Sequence, residues 1–243
     1  MRLYISSGTH IDEVEGRVSE IANQLEDPEV VFGEGGEASL IEQAITIAYL
    51  LPRAPLIALV AAFQVFFVLT LLGGIASVLT GGTKGRDTAI MQRIASKYDA
   101  KICEIDSVHT ARPVYERPVL WGLVNWIPII ILPVAFSRVV PLPIVAIRSV
   151  AWLAVIGFVL FYIMLCIVNV QREDGMAETI QSRTTNVETA CVVLGETHHI
   201  GIGKRLVGSN SIDVLNPTPD DIGLFTRFNL YSWNLINFVR NRV

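Results

Sequence analysis

The chain has 243 residues, of which 51% are hydrophobic and only 17% charged, and its mean hydropathy of +0.49 is too high for an ordinary water-soluble domain. A formal net charge of -4, with no basic run interleaved with aromatics, gives no support to a nucleic-acid partner. The three cysteines, Cys103, Cys166 and Cys191, are odd in number and lack metal-finger spacing, which argues against a disulfide framework and for reduced, buried small residues.

The first twenty residues carry no apolar signal-type run and turn acidic, so the chain is expected to begin as folded protein. RLYIS reads as a strand. In the helix expected after it, Val14, Val18, Ile21, Ala22 and Leu25 share one face, and acids crowd the first turn, where the helix dipole favours them. PEVVFGEGG repeats the strand and the glycine-rich break. An uncharged run over 54–83 follows. Next come a helix with Ile90, Met91, Ile94 and Ala95 on its face and a strand from Lys101 to Ile105. Two more uncharged runs occupy 118–137 and 149–171, each close to the roughly 20 residues a helix needs to cross about 30 Å of hydrocarbon. The segment REDGMAETIQSRTT is then a helix, and the strand after it leads into GETHHIGIG.

Short β-rich runs alternating with helices predict an α/β domain with a small, largely parallel sheet, interrupted by inserted transmembrane helices: an integral membrane α/β protein. The expected organisation is a first half of the α/β domain at 1–40, a transmembrane block at 41–80, a middle α/β segment at 81–117, a transmembrane hairpin at 118–171, a second α/β half at 172–208 and an amphipathic tail at 209–243. The hairpin divides around Arg138 and VVPLP, where prolines break a helix. The block at 41–80 is either a hairpin bent near Pro52 to Pro55 or a dipping segment bent near Gly73 and Gly74, giving four passes or two. Lys84, Arg86, Arg93, Lys97, Lys101, Arg112 and Arg117 lie between the oily blocks, which by the positive-inside tendency places the α/β domain in the cytoplasm. Gln64, Asn125 and Asn169 are the main polar members of the spans and none is ionisable, so the spans read as an anchor rather than a solute path. In the tail, Trp233, Leu235, Ile236 and Phe238 suit either the bilayer surface or a contact between copies in a homo-oligomer.

All four histidines fall just past predicted strand ends: His10 after the first, His109 after the third near Asp106, and His198 and His199 after the last, with Glu34 ending the second. In open α/β sheets that edge is where ligands bind. Neutral imidazoles beside carboxylates are what a divalent cation requires. A lone histidine at a strand end is more often a loop residue or hydrogen-bonder, and His109 and His199 are read as structural or accessory; Cys191, inside a strand, is read as core.

SGTHIDEVEGRVSEIANQLEDPEVVFGEGG, MQRIASKYDAKICEIDS and REDGMAETIQSRTTNVETACVVLGETHHIGI, in that order and over about half the chain, resemble the opening, middle and closing segments of the TraB family of pheromone-shutdown proteins. That family is similar to the Tiki-type metalloproteases, which pair two Gly-x-x-His motifs with a glutamate. Gly195 to His198 matches the second motif. In the first, Ser7 stands where glycine is expected and the glycine is shifted to Gly8; Ser107 replaces an arginine. The resemblance implies a divalent metal ion, Mn, Co or Zn, held by His10, Glu34 and His198, with Arg172, Glu173 and Glu34 in catalysis and Asp106, Gly195 and Gly8 as accessory residues.

A cation so placed would lower the pKa of a bound water and polarise a carbonyl. Glu173 could act as general base or steer Arg172, whose guanidinium suits a carboxylate or a developing oxyanion. The bland reading of Arg172 and Glu173 is an interface anchor where an oily run ends. The sequence thus predicts a membrane-anchored metal-dependent hydrolase, a peptidase acting on peptide or membrane-associated substrates; the alternative is a non-catalytic regulator that binds or sequesters a signalling peptide or small ligand.

Overall fold

The computed structural model describes residues 1–8, 14–34, 39–67, 86–106, 108–138, 141–184, 186–219 and 222–240. In chain order the elements begin β1 (Arg2–Gly8), α1 (Val14–Gln24), β2 (Val30–Gly33), α2 (Leu40–Arg53), α3 (Pro55–Phe63), α4 (Arg86–Tyr98) and β3 (Lys101–Glu104). They continue α5 (Arg112–Glu116), α6 (Pro118–Ser137), α7 (Leu142–Ser182), β4 (Thr189–Gly195), α8 (Glu196–Leu206), β5 (Asp213–Val214) and α9 (Leu224–Arg240). Two compact units result, the first from residues 1–37, 82–108 and 169–243 and the second from 38–81 and 109–168.

The first unit is built on a five-stranded sheet of order β3-β2-β4-β1-β5, and every pairing in it is parallel. Residues Leu3 to Ser6 and Ala190 to Leu194 are buried without a break, as strands covered on both faces should be. Alternate strand residues enter opposite cores. Leu3, Ile5, Phe32, Val192 and Leu194 meet Met176 and Ile180 of α7 and Ile202 and Leu206 of α8. Tyr4, Val31, Cys191 and Val193 meet Val18, Ile21 and Leu25 of the α1 segment and Ile90, Met91 and Ile94 of α4. Met91 lies so close over β2 that a side chain at Gly33 would fall 1.8 Å from its sulfur, so the thioether would have to swing away to admit one.

Three expectations change in detail. The last long strand stops at Gly195, and the doubled histidine lies in the first turn of α8 rather than at a strand end. The glycines after it lie inside α8 because other groups need their space. A Cβ on Gly201 would sit 2.1 Å from the Glu173 carboxyl carbon and one on Gly203 2.2 Å from the Pro217 carbonyl oxygen. Second, REDGMAETIQS is not a separate helix but the end of the 41-residue α7. Third, the start of the segment expected as an amphipathic tail, 209–243, supplies the short edge strand β5.

In the second unit α2 starts with a capping box, Ser39 Oγ accepting from the Glu42 backbone and the Glu42 carboxylate from the Ser39 backbone. The chain breaks between α2 and α3 at Ala54, and α6 repairs the break. Asn125 Oδ1 accepts the Ile57 N–H at 3.2 Å and Trp126 Nε1 donates to the Pro52 carbonyl at 3.1 Å. These are backbone groups that the helix ends leave unpaired. The segments Pro118–Ser137 and Pro143–Ser182 are long and apolar enough to cross a membrane, and only 11% and 17% of their most apolar stretches are buried in the protein. Pro55–Phe67 is apolar but shorter, and the expected second leg of that block, with Gly73 and Gly74, lies outside the described residues.

Candidate functional site

The carboxyl edge of the parallel sheet carries, from β3 towards β5, Asp106, Glu34, Gly195 and Ser7. Parallel pairing explains this: Gly33 is level with Glu104 and Val193, and Gly8 with Gly195, so all the strands end at one side. The end of α7 carries Arg172 and Glu173, which adjoin this edge through different partners.

Arg172 bridges two strand ends. Its Nε donates to Asp106 Oδ2 at 2.7 Å and its Nη2 to Glu34 Oε2 at 3.1 Å. The other Glu34 oxygen accepts the Gly195 N–H at 3.2 Å, so one carboxylate ties the guanidinium to the turn between β4 and α8. With side-chain exposures of 22%, 17% and 16% for Arg172, Glu34 and Asp106, these are partly desolvated, charge-assisted bonds. Arg172 Nη1 makes no bond among the described residues and is the donor left for a ligand.

Glu173 does not steer Arg172. It is buried, 3% exposed, and faces α8. Arg205 Nη1 donates to Glu173 Oε2 at 2.7 Å and to the Gly201 carbonyl at 2.8 Å, while Arg205 Nε donates to Asp174 at 2.7 Å. Holding Oε2 in this way turns Oε1 towards Nδ1 of the buried His198, 3.5 Å away. The separation is long for a hydrogen bond, and neither atom has a hydrogen-bond partner among the described residues. The His198 ring lies against Trp233 of α9, with centroids 5.5 Å apart. The bareness of Gly201 creates the room this carboxylate occupies.

His199, next in sequence, is also buried and faces a different group. Its Nδ1 meets Ser7 Oγ at 2.6 Å and its Nε2 the Asn216 carbonyl at 2.7 Å. On a helix, consecutive side chains diverge by about 100°, so the doubled histidine serves two sets of partners. His109 belongs to the second unit, where its Nδ1 accepts the Ala111 N–H at 3.1 Å and caps a turn.

His10 and Ser107 lie outside the described residues. Of the expected metal trio, Glu34 has both oxygens engaged and His198 faces Glu173. Among the described residues no group of three or more His, Cys, Asp or Glu side chains could hold a metal ion. The donor pair that fits a cation is Glu173 Oε1 with His198 Nδ1, since buried polar atoms without partners are the ones an ion or water satisfies. Gly8, itself half-buried, follows Ser7 at the same edge.

Arg205, Asn216 and Arg17 were not singled out by the sequence. Arg17, 5% exposed, binds Asp87 at 2.7 Å and the Ser6 carbonyl at 2.6 Å. Its signal was a cation beside Val18 and four residues before Ile21, on the rim of the buried face of α1. No family model, curated protein or solved structure matches the chain.

Proposed function

We propose that the chain is a membrane-anchored, metal-dependent hydrolase that cleaves peptide or other membrane-associated amide or ester substrates near the bilayer surface. The observation that carries the reading is the Glu173 and His198 pair, two buried ligand-type atoms aimed at each other without partners among the described residues, beside the carboxyl edge of a parallel sheet. The TraB-like and Tiki-like resemblance of Gly195 to His198 supports it and would add His10 as a donor. Glu173 and His198 would hold a Mn, Co or Zn ion, which when bound supplies Lewis acidity and a water of lowered pKa. Arg205 offsets the charge of Glu173 and fixes which oxygen faces His198. Arg172, held rigid by Glu34 and Asp106, offers Nη1 to a substrate carboxylate or carbonyl.

The anchor rests on α6 and α7. Pro118–Ser137 carries no ionisable side chain, and Val119, Leu123 and Ile130 are 74%, 53% and 63% exposed. An apolar surface of that extent is consistent with lipid contact. Crossing as a pair, the two helices return the chain to its starting face, so Glu34 and His198 stay on one side, the cytoplasmic one by the positive residues Arg93, Lys97, Lys101, Arg112 and Arg117.

A second reading, a non-catalytic regulator that sequesters a signalling peptide or small ligand, is favoured by one observation: Glu34 is fully engaged by Arg172 and the Gly195 N–H. The full chain reconstituted in liposomes, given a fluorogenic peptide library with EDTA or with Mn, Co or Zn, separates the two. Metal-restored cleavage lost in His198→Ala and Glu173→Gln supports the hydrolase. Peptide retention without turnover under any metal refutes it in favour of the regulator.

A further inference from the structure

We propose that Ser7 is a second reactive centre, a serine nucleophile activated by His199 and oriented by the Asn216 carbonyl, which accepts an acyl or phosphoryl group from an ester without a metal. The geometry determines the proton positions. A carbonyl oxygen can only accept, so the 2.7 Å contact with Asn216 fixes the His199 proton on Nε2. Nδ1 then presents its lone pair, and Ser7 Oγ donates into it at 2.6 Å. Nucleophile, base and a third group that orients the base stand within hydrogen-bonding reach, the arrangement nucleophilic catalysis uses.

The third group is itself held firmly. Asn216 Oδ1 accepts the Ile5 N–H and its Nδ2 donates to the Ile5 carbonyl, both at 2.8 Å. Its side chain therefore continues the ladder that β5 begins with the 2.9 Å bond from the Leu215 N–H to the Leu3 carbonyl. Position and access also agree. Ser7 is the penultimate residue of β1, is half-buried at the ligand-binding edge of the sheet and is followed by Gly8. His199 is 2% exposed, so water competes little for its lone pair.

With an ester, Ser7 Oγ bonds to the acyl carbon, the ester C–O bond breaks, and the serine proton passes through His199 Nδ1 to the departing alkoxide. Water then attacks the acyl-serine, its proton passes through His199 Nδ1 to the departing Ser7 Oγ, and the acid is released. No cation enters either step, so this centre is independent of the Glu173 and His198 pair.

The test uses the intact, detergent-solubilised full chain and an alkyl fluorophosphonate: Oγ bonds to phosphorus, the P–F bond breaks, and His199 accepts the proton as fluoride leaves. Mass spectrometry of the peptide containing Ser7 should show one adduct per chain, formed equally in EDTA. The adduct should be absent in Ser7→Ala and form at least about 100-fold more slowly in His199→Gln. Circular dichroism of both variants establishes that they fold. No adduct at Ser7 in the folded wild type, an unchanged rate in folded His199→Gln, or labelling that requires added metal overturns the proposal.

Discussion

Gly201→Ala is the sharpest structural test of the buried carboxylate. The new methyl would lie 2.1 Å from the Glu173 carboxyl carbon, whereas ordinary contact begins at 3.4 Å, so the carboxylate must move by about 1.3 Å (3.4 minus 2.1). Such a move opens the 2.7 Å bond to Arg205 and the approach to His198. Losing one charged hydrogen bond costs about 1.5–3 kcal/mol. Replacing a mid-helix glycine by alanine returns about 0.5–1 kcal/mol. The contact loss wins, with a net destabilisation of roughly 1.5 kcal/mol, and native-state hydrogen exchange of α8 and β4 amides should quicken about tenfold. Gly16→Ala, where nothing lies within 4 Å of the added Cβ, should instead slow exchange in α1. In a Glu173→Ala background Gly201→Ala should turn stabilising, a coupling of about 2–3 kcal/mol. Equal effects of Gly201→Ala with and without Glu173 would refute the reasoning.

Arg17→Met removes a buried guanidinium with its bonds to the half-buried Asp87 and the Ser6 carbonyl and should cost about 1.5–3 kcal/mol in urea unfolding of the sheet unit; a loss below about 0.5 kcal/mol contradicts the role given to Arg17. Burial pushes the Cys191 thiol from 9.0 up to about 12, so at pH 8 about one molecule in ten thousand carries the thiolate, and iodoacetamide should modify half-buried Cys103 but not Cys191 until the protein unfolds. Because this folded-state value is raised, its contribution to stability is intact below pH 9.0 and is lost as pH rises towards about 12. Asn125→Leu strands the Ile57 N–H and should destabilise the second unit by about 1–3 kcal/mol in thermal unfolding monitored in detergent, whereas Asn125→Asp, which keeps an acceptor, should lose less.

The sequence carried the parallel strands and their burial because fully covered strands read as unbroken apolar runs, and RLYIS and ACVVL have that character. Periodicity also placed Val18, Ile21, Ile90, Met91 and Ile94 on buried faces. What it could not carry were contacts between residues far apart in the chain. Gly201 and Gly203 look like helix breakers until Glu173 and Pro217 are seen to need their space. Glu34 and Asp106 were legible as strand-end acids, yet only the fold shows that they share Arg172 while Glu173 turns to Arg205 and His198. β5 was missed because two residues leave no alternating pattern, and with it Asn216, whose Asn-Pro context reads as a turn. Ser7 was read as a departure from a glycine motif; its hydroxyl gains meaning only beside His199, 192 residues later in the chain.

Metal content of the purified full chain tests the proposed hydrolase most directly. After stripping with chelator and reloading with Mn, Co or Zn, elemental analysis should find one equivalent per chain in the wild type, none in His198→Ala or Glu173→Gln, and one still in His199→Gln, whose ring faces Ser7. A wild type that retains no ion, or a His198→Ala variant that retains it fully, contradicts a cation held between Glu173 and His198.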